Sequence, residues 1–202
     1  DRLVLVERDE RIARMLDGII NDPTLPRRYA AFDCTDENVR RLLRSEESPF
    51  RYLVQTRCKN RAKFNGGFRK VIDERYCREL VVNNTLRAQA MRDRITVVCG
   101  DALEVMREHA ADPSIGCFCD PPYTAQRSGR GHTLYRHHKL NHNRLFALLR
   151  QWRGAWLLTE DNCLKVRRLA RCWGFSTRRV SMDTASHIKK TELMIWRKRR
   201  IF

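Results

Sequence analysis

The sequence holds no apolar run near the roughly 18 residues of a membrane-crossing helix, and no signal peptide is visible in it. Cysteine is present but unorganised. Cys34, Cys58, Cys77, Cys99, Cys117, Cys119, Cys163 and Cys172 are scattered without one Cys-x-x-Cys pair. That pattern argues against structural zinc, whose ligands come in close pairs, and leaves a site of cysteine plus His137–His138 as the metal alternative. Without a secretion signal the cysteines read as reduced thiols, which implies a reducing compartment, the cytoplasm. No internal repeat and no low-complexity linker interrupts the 202 residues, a length that one domain folds around a sizeable core. Negative charge is scarce: 24 acids stand against 41 lysines and arginines, a formal net charge of +17. Such an excess points to a polyanionic partner, nucleic acid above all. The blander alternative is a solvated basic surface of the ribosomal-protein kind.

Short apolar runs alternate with helical patterns. "LVLVE" (3–7) leads into "RDERIARMLDGII", where Ile12, Met15, Leu16, Ile19 and Ile20 recur at helical spacing, and "NDPTLP" breaks that helix. "ITVVCGD" (95–101) precedes the helical "ALEVMREHA"; "IGCFCD" (115–120) runs into two prolines; "NHNRLFALLRQW" is amphipathic. "GAWLLTE" (154–160) is a fourth strand, "NCLKVRRLARCWG" a further helix, and "FSTRRVSMD" with "TELMIWRK" predicts a closing antiparallel pair. The order implies an α/β fold with a mostly parallel sheet and helices on both faces. Ile115–Cys119 is expected to be a buried central strand, with Cys117 and Cys119 as small buried hydrophobes. Residues 36–92 differ, being helical in pattern and rich in arginine and lysine. Their stretch "YLVQTRCKNRAKFNGGFRK" interleaves basic residues with Tyr52, Phe64, Asn65 and Phe68 around a Gly-Gly turn, which suits phosphates and base edges. The alternative is a basic helical hairpin that only packs on the sheet.

In an open parallel sheet, ligands bind beyond the carboxyl ends of the strands. Glu7, Asp101 and Asp120 all fall at such ends. A single acid there is often a helix cap. Three on successive strand ends point to one shared ligand edge, with an acid for ribose hydroxyls and another for an adenine amino group: a nucleoside cofactor.

The stretch "FCDPPYTAQ" (118–126) then becomes legible. Asp120–Pro121–Pro122–Tyr123 resembles the DPPY signature of amino-methyltransferases. In order along the chain, "RCKNRAKFNGGF", "TLYRHHKLNHNRLFALL", "LLTEDN" and "HIKKTELMIW" resemble the Dam-like, D12 class of adenine-specific DNA methyltransferases. The resemblance implies a Rossmann-like methyltransferase fold with residues 1–35 and 93–202 as catalytic domain and 36–92 as a helical target-recognition insertion. It implies S-adenosyl-L-methionine as cofactor, double-stranded DNA as partner, and methylation of adenine N6 without a metal. Asp120, Pro121, Pro122 and Tyr123 would be catalytic, with Tyr123 stacking on a base taken out of the duplex. Glu7, Asp101 and Asp120 would hold the cofactor. Arg57, Lys59, Asn60, Arg61, Lys63, Asn65 and Arg69 would line the target face, with Arg57 and Asn65 as base readers. Arg127, Arg130 and Arg136 would grip the displaced strand. Family members place a phenylalanine-glycine-rich loop ahead of the acid that Glu7 represents. The expectation is a preceding segment that supplies it, with a second chain or a defective remnant as alternatives. Two rival functions remain: an rRNA adenine N6-methyltransferase, and a non-catalytic nucleic-acid-binding subunit, which would have no need of the DPPY acid.

The basic cluster generates a measurable expectation. Affinity for duplex DNA should fall by orders of magnitude between low and moderately high salt. Alanine at a base-reading arginine should relax preference at one position and cost roughly 1–3 kcal/mol. A salt titration and methylation mapping of single variants across 57–69 check this, and an unchanged slope and preference throughout would make the segment structural.

Overall fold

The computed structural model describes residues 1–58, 74–122, 140–183 and 189–197. The chain divides into two compact units, Asp1–Ala102 and Leu103–Phe202. In the first, β1 (Leu3–Glu7) lies parallel to β2 (Ile95–Cys99), with Leu3 beside Ile95 and Glu7 beside Cys99. Between them run α1 (Glu10–Asn21), α2 (Leu25–Ala31), α3 (Asp36–Arg44), α4 (Pro49–Cys58) and α5 (Glu74–Gln89). Local chemistry sets these ends. Asp9 caps α1 by accepting from the Arg11 N–H at 3.1 Å, and Thr35 caps α3 by accepting from the Asn38 N–H at 3.2 Å. Asp36 and Glu37 open α3 while Arg41 and Arg44 close it, each charge opposing the helix dipole. The apolar faces converge on Leu25, Val39, Phe50, Leu53, Val54 and Val81.

The second unit holds α6 (Ala102–His109, of which Ala102 closes the first unit), β3 (Cys117–Cys119), α7 (His142–Gln151), β4 (Trp156–Asp161), α8 (Leu164–Cys172), β5 (Phe175–Asp183) and β6 (Lys189–Arg197). Its sheet runs β3-β4-β6-β5. Phe146 and Leu149 of α7, Trp156 and Leu158 of β4, Phe175 of β5 and Ile195 of β6 form its core. The Trp156 and Phe175 rings meet edge to face at 4.7 Å between centroids. Gly174 ends α8 at φ 70°, where its N–H reaches the Arg171 carbonyl at 3.0 Å, a left-handed cap that favours glycine.

The strand–helix alternation and the closing antiparallel pair of the sequence reading are both present. One mostly parallel sheet is not what the described residues show: the first unit has a two-stranded parallel sheet, β1/β2, and the four-stranded sheet of the second is mixed, with β3/β4 parallel and β4/β6 and β5/β6 antiparallel. Only residues 184–188 separate β5 from β6, too few for the crossover of a dozen or more residues that a parallel pair needs. The expected buried central strand over Ile115–Cys119 is also corrected. Strand pairing covers Cys117–Cys119, joins β4 alone among the described residues, and leaves Phe118 66% exposed. Apolar residues in a row do not tell one buried face from two. Helix α2 went unread because "NDPTLP" looks like a pure breaker, although proline is tolerated in a first helical turn.

Helix α1 approaches the start of α4 so closely that a Cβ on Gly18 would lie 2.2 Å from Pro49 Cβ. Alanine there would gain about 1 kcal/mol of helix propensity, but a ring carbon cannot yield that space. Gly18→Ala is therefore expected to lose stability, by about 1–3 kcal/mol from overpacking. Denaturant unfolding checks this against Gly100→Ala, where the nearest atom is 3.8 Å away.

Candidate active site

Asp120 leaves the carboxyl end of β3. The register sets Cys119 beside Leu158, so the next step brings Asp120 beside Thr159 of β4. The contact is made: Thr159 Oγ1 donates to Asp120 Oδ1 at 2.7 Å, with the Cys119 carbonyl a longer acceptor at 3.3 Å. Alternation along a strand sorts the neighbours by face. Phe118 and Asp120 are exposed and Thr159 is half-buried; Cys117, Cys119, Trp156, Leu158 and Glu160 turn toward the core. Pro121 and Pro122 are half-buried. Tyr123, Arg127, Arg130 and Arg136 lie outside the described residues.

Glu160, one residue after Thr159, is fully buried. Its Oε1 bonds His142 Nε2 at 2.8 Å, and its Oε2 accepts from the Asp161 N–H at 3.2 Å. His142 opens α7, and its Nδ1 meets the Leu140 carbonyl at 3.1 Å. A carbonyl only accepts, so Nδ1 donates. The Nε2–Oε1 bond then requires a hydrogen on either the ring or the carboxyl. The fully buried carboxyl and the partly buried imidazole thereby satisfy each other and tie α7 to β4. Sequence reasoning passed over Thr159, Glu160 and His142. The signal available was "WLLTED", an apolar strand ending in three polar residues, since an acid that continues an inward face needs a buried partner.

Cys117 and Cys119 share the inward face, sulfurs 3.4 Å apart. Its hydrogen bond with Cys117, together with burial, pushes the Cys119 thiol up, away from reactive thiolate. Cys34 and Cys58 meet similarly at 3.3 Å in the first unit. Among the described residues no three His, Cys, Asp or Glu side chains are grouped to hold a metal, and no helix is long and apolar enough to cross a membrane. His137 and His138 lie outside the described residues.

In the first unit, Glu7 ends β1 and Asp101 follows β2. The Gly100 N–H donates to the Glu7 carbonyl at 2.9 Å, which ties the turn carrying Asp101 to the end of β1. Glu7 Oε1 accepts from the Asp9 N–H at 2.8 Å, and Arg8 reaches Asp101 at 3.7 Å. Asp9 caps α1, and Glu7 bonds the backbone N–H of that capping residue. Two carboxylates at neighbouring parallel strand ends offer only acceptors, which matches a ligand edge of hydroxyls and an amino group. Of the expected target-face residues, Arg57 is exposed on the last turn of α4. Lys59, Asn60, Arg61, Lys63, Asn65 and Arg69 lie outside the described residues.

The family model for the D12 class N6 adenine-specific DNA methyltransferases matches residues 33–186, a span that contains Asp101, Asp120, His142 and Thr159. No curated protein matches the chain.

The buried pair yields a paired expectation. Glu160→Gln should cost little, because an amide N–H can donate to a neutral Nε2. Glu160→Ala leaves a buried imidazole nitrogen unmatched and a void beside it, and should cost about 3–5 kcal/mol. Thermal and denaturant unfolding of both variants checks the difference.

Proposed function

The chain belongs to the D12 class of N6 adenine-specific DNA methyltransferases, and we propose that Asp120 is the carboxylate that activates the target adenine in the reaction of that class. The reaction moves a methyl group from S-adenosylmethionine to adenine N6 in DNA. An exocyclic amine on a purine is a poor nucleophile, because its lone pair is drawn into the ring. Asp120 accepts one N–H and the Pro121 carbonyl the other, which bends the nitrogen toward tetrahedral geometry and releases that pair. The rings of Pro121 and Pro122 fix φ and so the direction of this carbonyl. Tyr123 stacks on the displaced base. S-adenosylmethionine, when bound, supplies an electrophilic methyl on a sulfonium that departs as a neutral thioether. Asp120 faces the nitrogen as it turns cationic and takes up one of its protons, which passes to water.

Glu7 receives the ribose hydroxyls and Asp101 the adenine amino group of the cofactor. Their acceptor-only chemistry at parallel strand ends supports this assignment. The strand–helix order, with an antiparallel pair closing it, supports a Rossmann-like methyltransferase fold formed by residues 1–35 and 93–202. The basic stretch 36–92 reads duplex DNA through Arg57, Lys59, Asn60, Arg61, Lys63, Asn65 and Arg69. Arg127, Arg130 and Arg136 hold the displaced strand. One observation carries the catalytic reading: an exposed carboxylate held at the carboxyl end of a parallel strand, just ahead of two prolines.

Asp120→Ala should lower turnover on duplex DNA by on the order of 100- to 1,000-fold and leave DNA affinity largely unchanged. Transfer of labelled methyl groups and a parallel binding titration check both halves. Near-normal turnover in that variant would overturn the assignment.

A further inference from the structure

We propose that Thr159 is a positioning residue for methyl transfer: its hydroxyl fixes the rotation of the Asp120 carboxylate. The proposal rests on reading Asp120 as catalytic, and goes beyond it by naming what holds that group in place. Asp120 has little support from its own strand. Strand β3 is three residues long and is bonded along one side among the described residues. Proline follows at 121 and again at 122 and removes two backbone donors that could have extended the ladder.

Thr159 stands on a different footing. Strand β4 is bonded on both sides, to β3 and to β6, with Thr159 opposite Met194. The residue after it is locked into the core by His142. Threonine itself is stiff, because two heavy atoms on Cβ restrict χ1. The hydroxyl therefore projects from a fixed backbone in a fixed direction. It has one hydrogen to give and two acceptors in reach, and the carboxylate at 2.7 Å takes it in preference to the carbonyl at 3.3 Å. A carboxylate bonded by Thr159 at Oδ1 turns only with loss of that bond, so β4 helps to set its plane and the angle at which it meets an amine.

The same hydrogen bond has an opposing effect. A donor on Oδ1 draws off negative charge and makes Asp120 a weaker acceptor for the target amine. If that effect dominated, removing the hydroxyl would speed the reaction. Positioning is the larger effect here, because the amine must be met along one direction as its nitrogen changes shape, and misplacement by about an ångström costs rates on the order of 100-fold. The two accounts thus differ in sign.

The test compares Thr159→Val, which keeps shape and loses the hydroxyl, with Thr159→Ser, which keeps the hydroxyl, alongside Asp120→Ala, in the full chain. The substrate is duplex DNA amplified in vitro, which carries no N6-methyladenine, with labelled S-adenosylmethionine. Thr159→Val should lower kcat about 10- to 100-fold with KM for DNA and for S-adenosylmethionine, and the melting temperature, nearly unchanged. Thr159→Ser should recover most of the rate. An unchanged or raised kcat in Thr159→Val, a change confined to KM, or failure of serine to rescue would each overturn the positioning role. If Asp120→Ala itself keeps near-normal turnover, the catalytic reading fails instead, and the outcome at Thr159 separates the two failures.

Discussion

A carboxylate at the end of a strand of three residues, followed by two prolines, depends for its placement on whatever lies beside it. In this chain that neighbour is β4, and most of what is firm in the second unit can be traced to it. Trp156 and Leu158 enter the core from one face of β4, and the Trp156 ring packs against Phe175 of β5. Ladder bonds run from β4 to β3 on one side and to β6 on the other. Glu160 continues the inward face and meets His142, so that α7 is fixed to the strand by polar bonds as well as by Phe146 and Leu149. Thr159 uses the other face to reach Asp120. One strand thus connects a packed core to an exposed acid.

The formal charge of +17 is not all available to a polyanion. Arg11 forks onto Asp9, its Nε at 3.0 Å and its terminal nitrogen at 2.7 Å, and the pair sits at the start of α1. Arg78 donates to the Phe32 carbonyl at 3.0 Å. The Arg28 guanidinium lies 4.7 Å from the centre of the Phe50 ring. In the second unit Arg144 reaches Glu104 at 2.6 Å, and Arg197 donates to the Trp152 carbonyl. These arginines serve structure, closing helix ends and bonding carbonyls. Each keeps its charge, but its guanidinium is already engaged, so fewer arginines are open to bond a phosphate than composition alone implies.

What the sequence disclosed and what it hid divide along physical lines. Helices α1 and α7, with a clear apolar period, were legible, because period is a local property, whereas α3 was read only as part of a helical stretch over 36–92. The closing strand pair was legible for a similar reason, since a short connection allows only antiparallel pairing. Asp120 stood out because two prolines after an acid at a strand end are costly to place without cause. Thr159, Glu160 and His142 were not legible. Their meaning lies in contacts across 18 to 39 residues of chain, and no local pattern specifies which polar residue at a strand end meets which partner. Phe118 shows the converse failure: its apolar neighbours predicted burial, whereas face alternation left it open.

The same alternation explains why two acids so close on the sheet can have opposite surroundings. Glu160 and the register partner of Asp120 are adjacent residues of β4, yet they face opposite sides. A leucine at 160 would add apolar contact and avoid the cost of burying a polar group, but would leave the His142 ring nitrogen unmatched. What leucine lacks is direction. The carboxylate instead holds the ring of His142 with one oxygen and the Asp161 backbone with the other, and these bonds have preferred angles that dispersion contacts lack. Bonds of that kind resist sliding and twisting of the strand end, the motions that would move Thr159 and with it Asp120. The inward acid therefore contributes to the geometry around Asp120, though it faces the opposite side of the sheet.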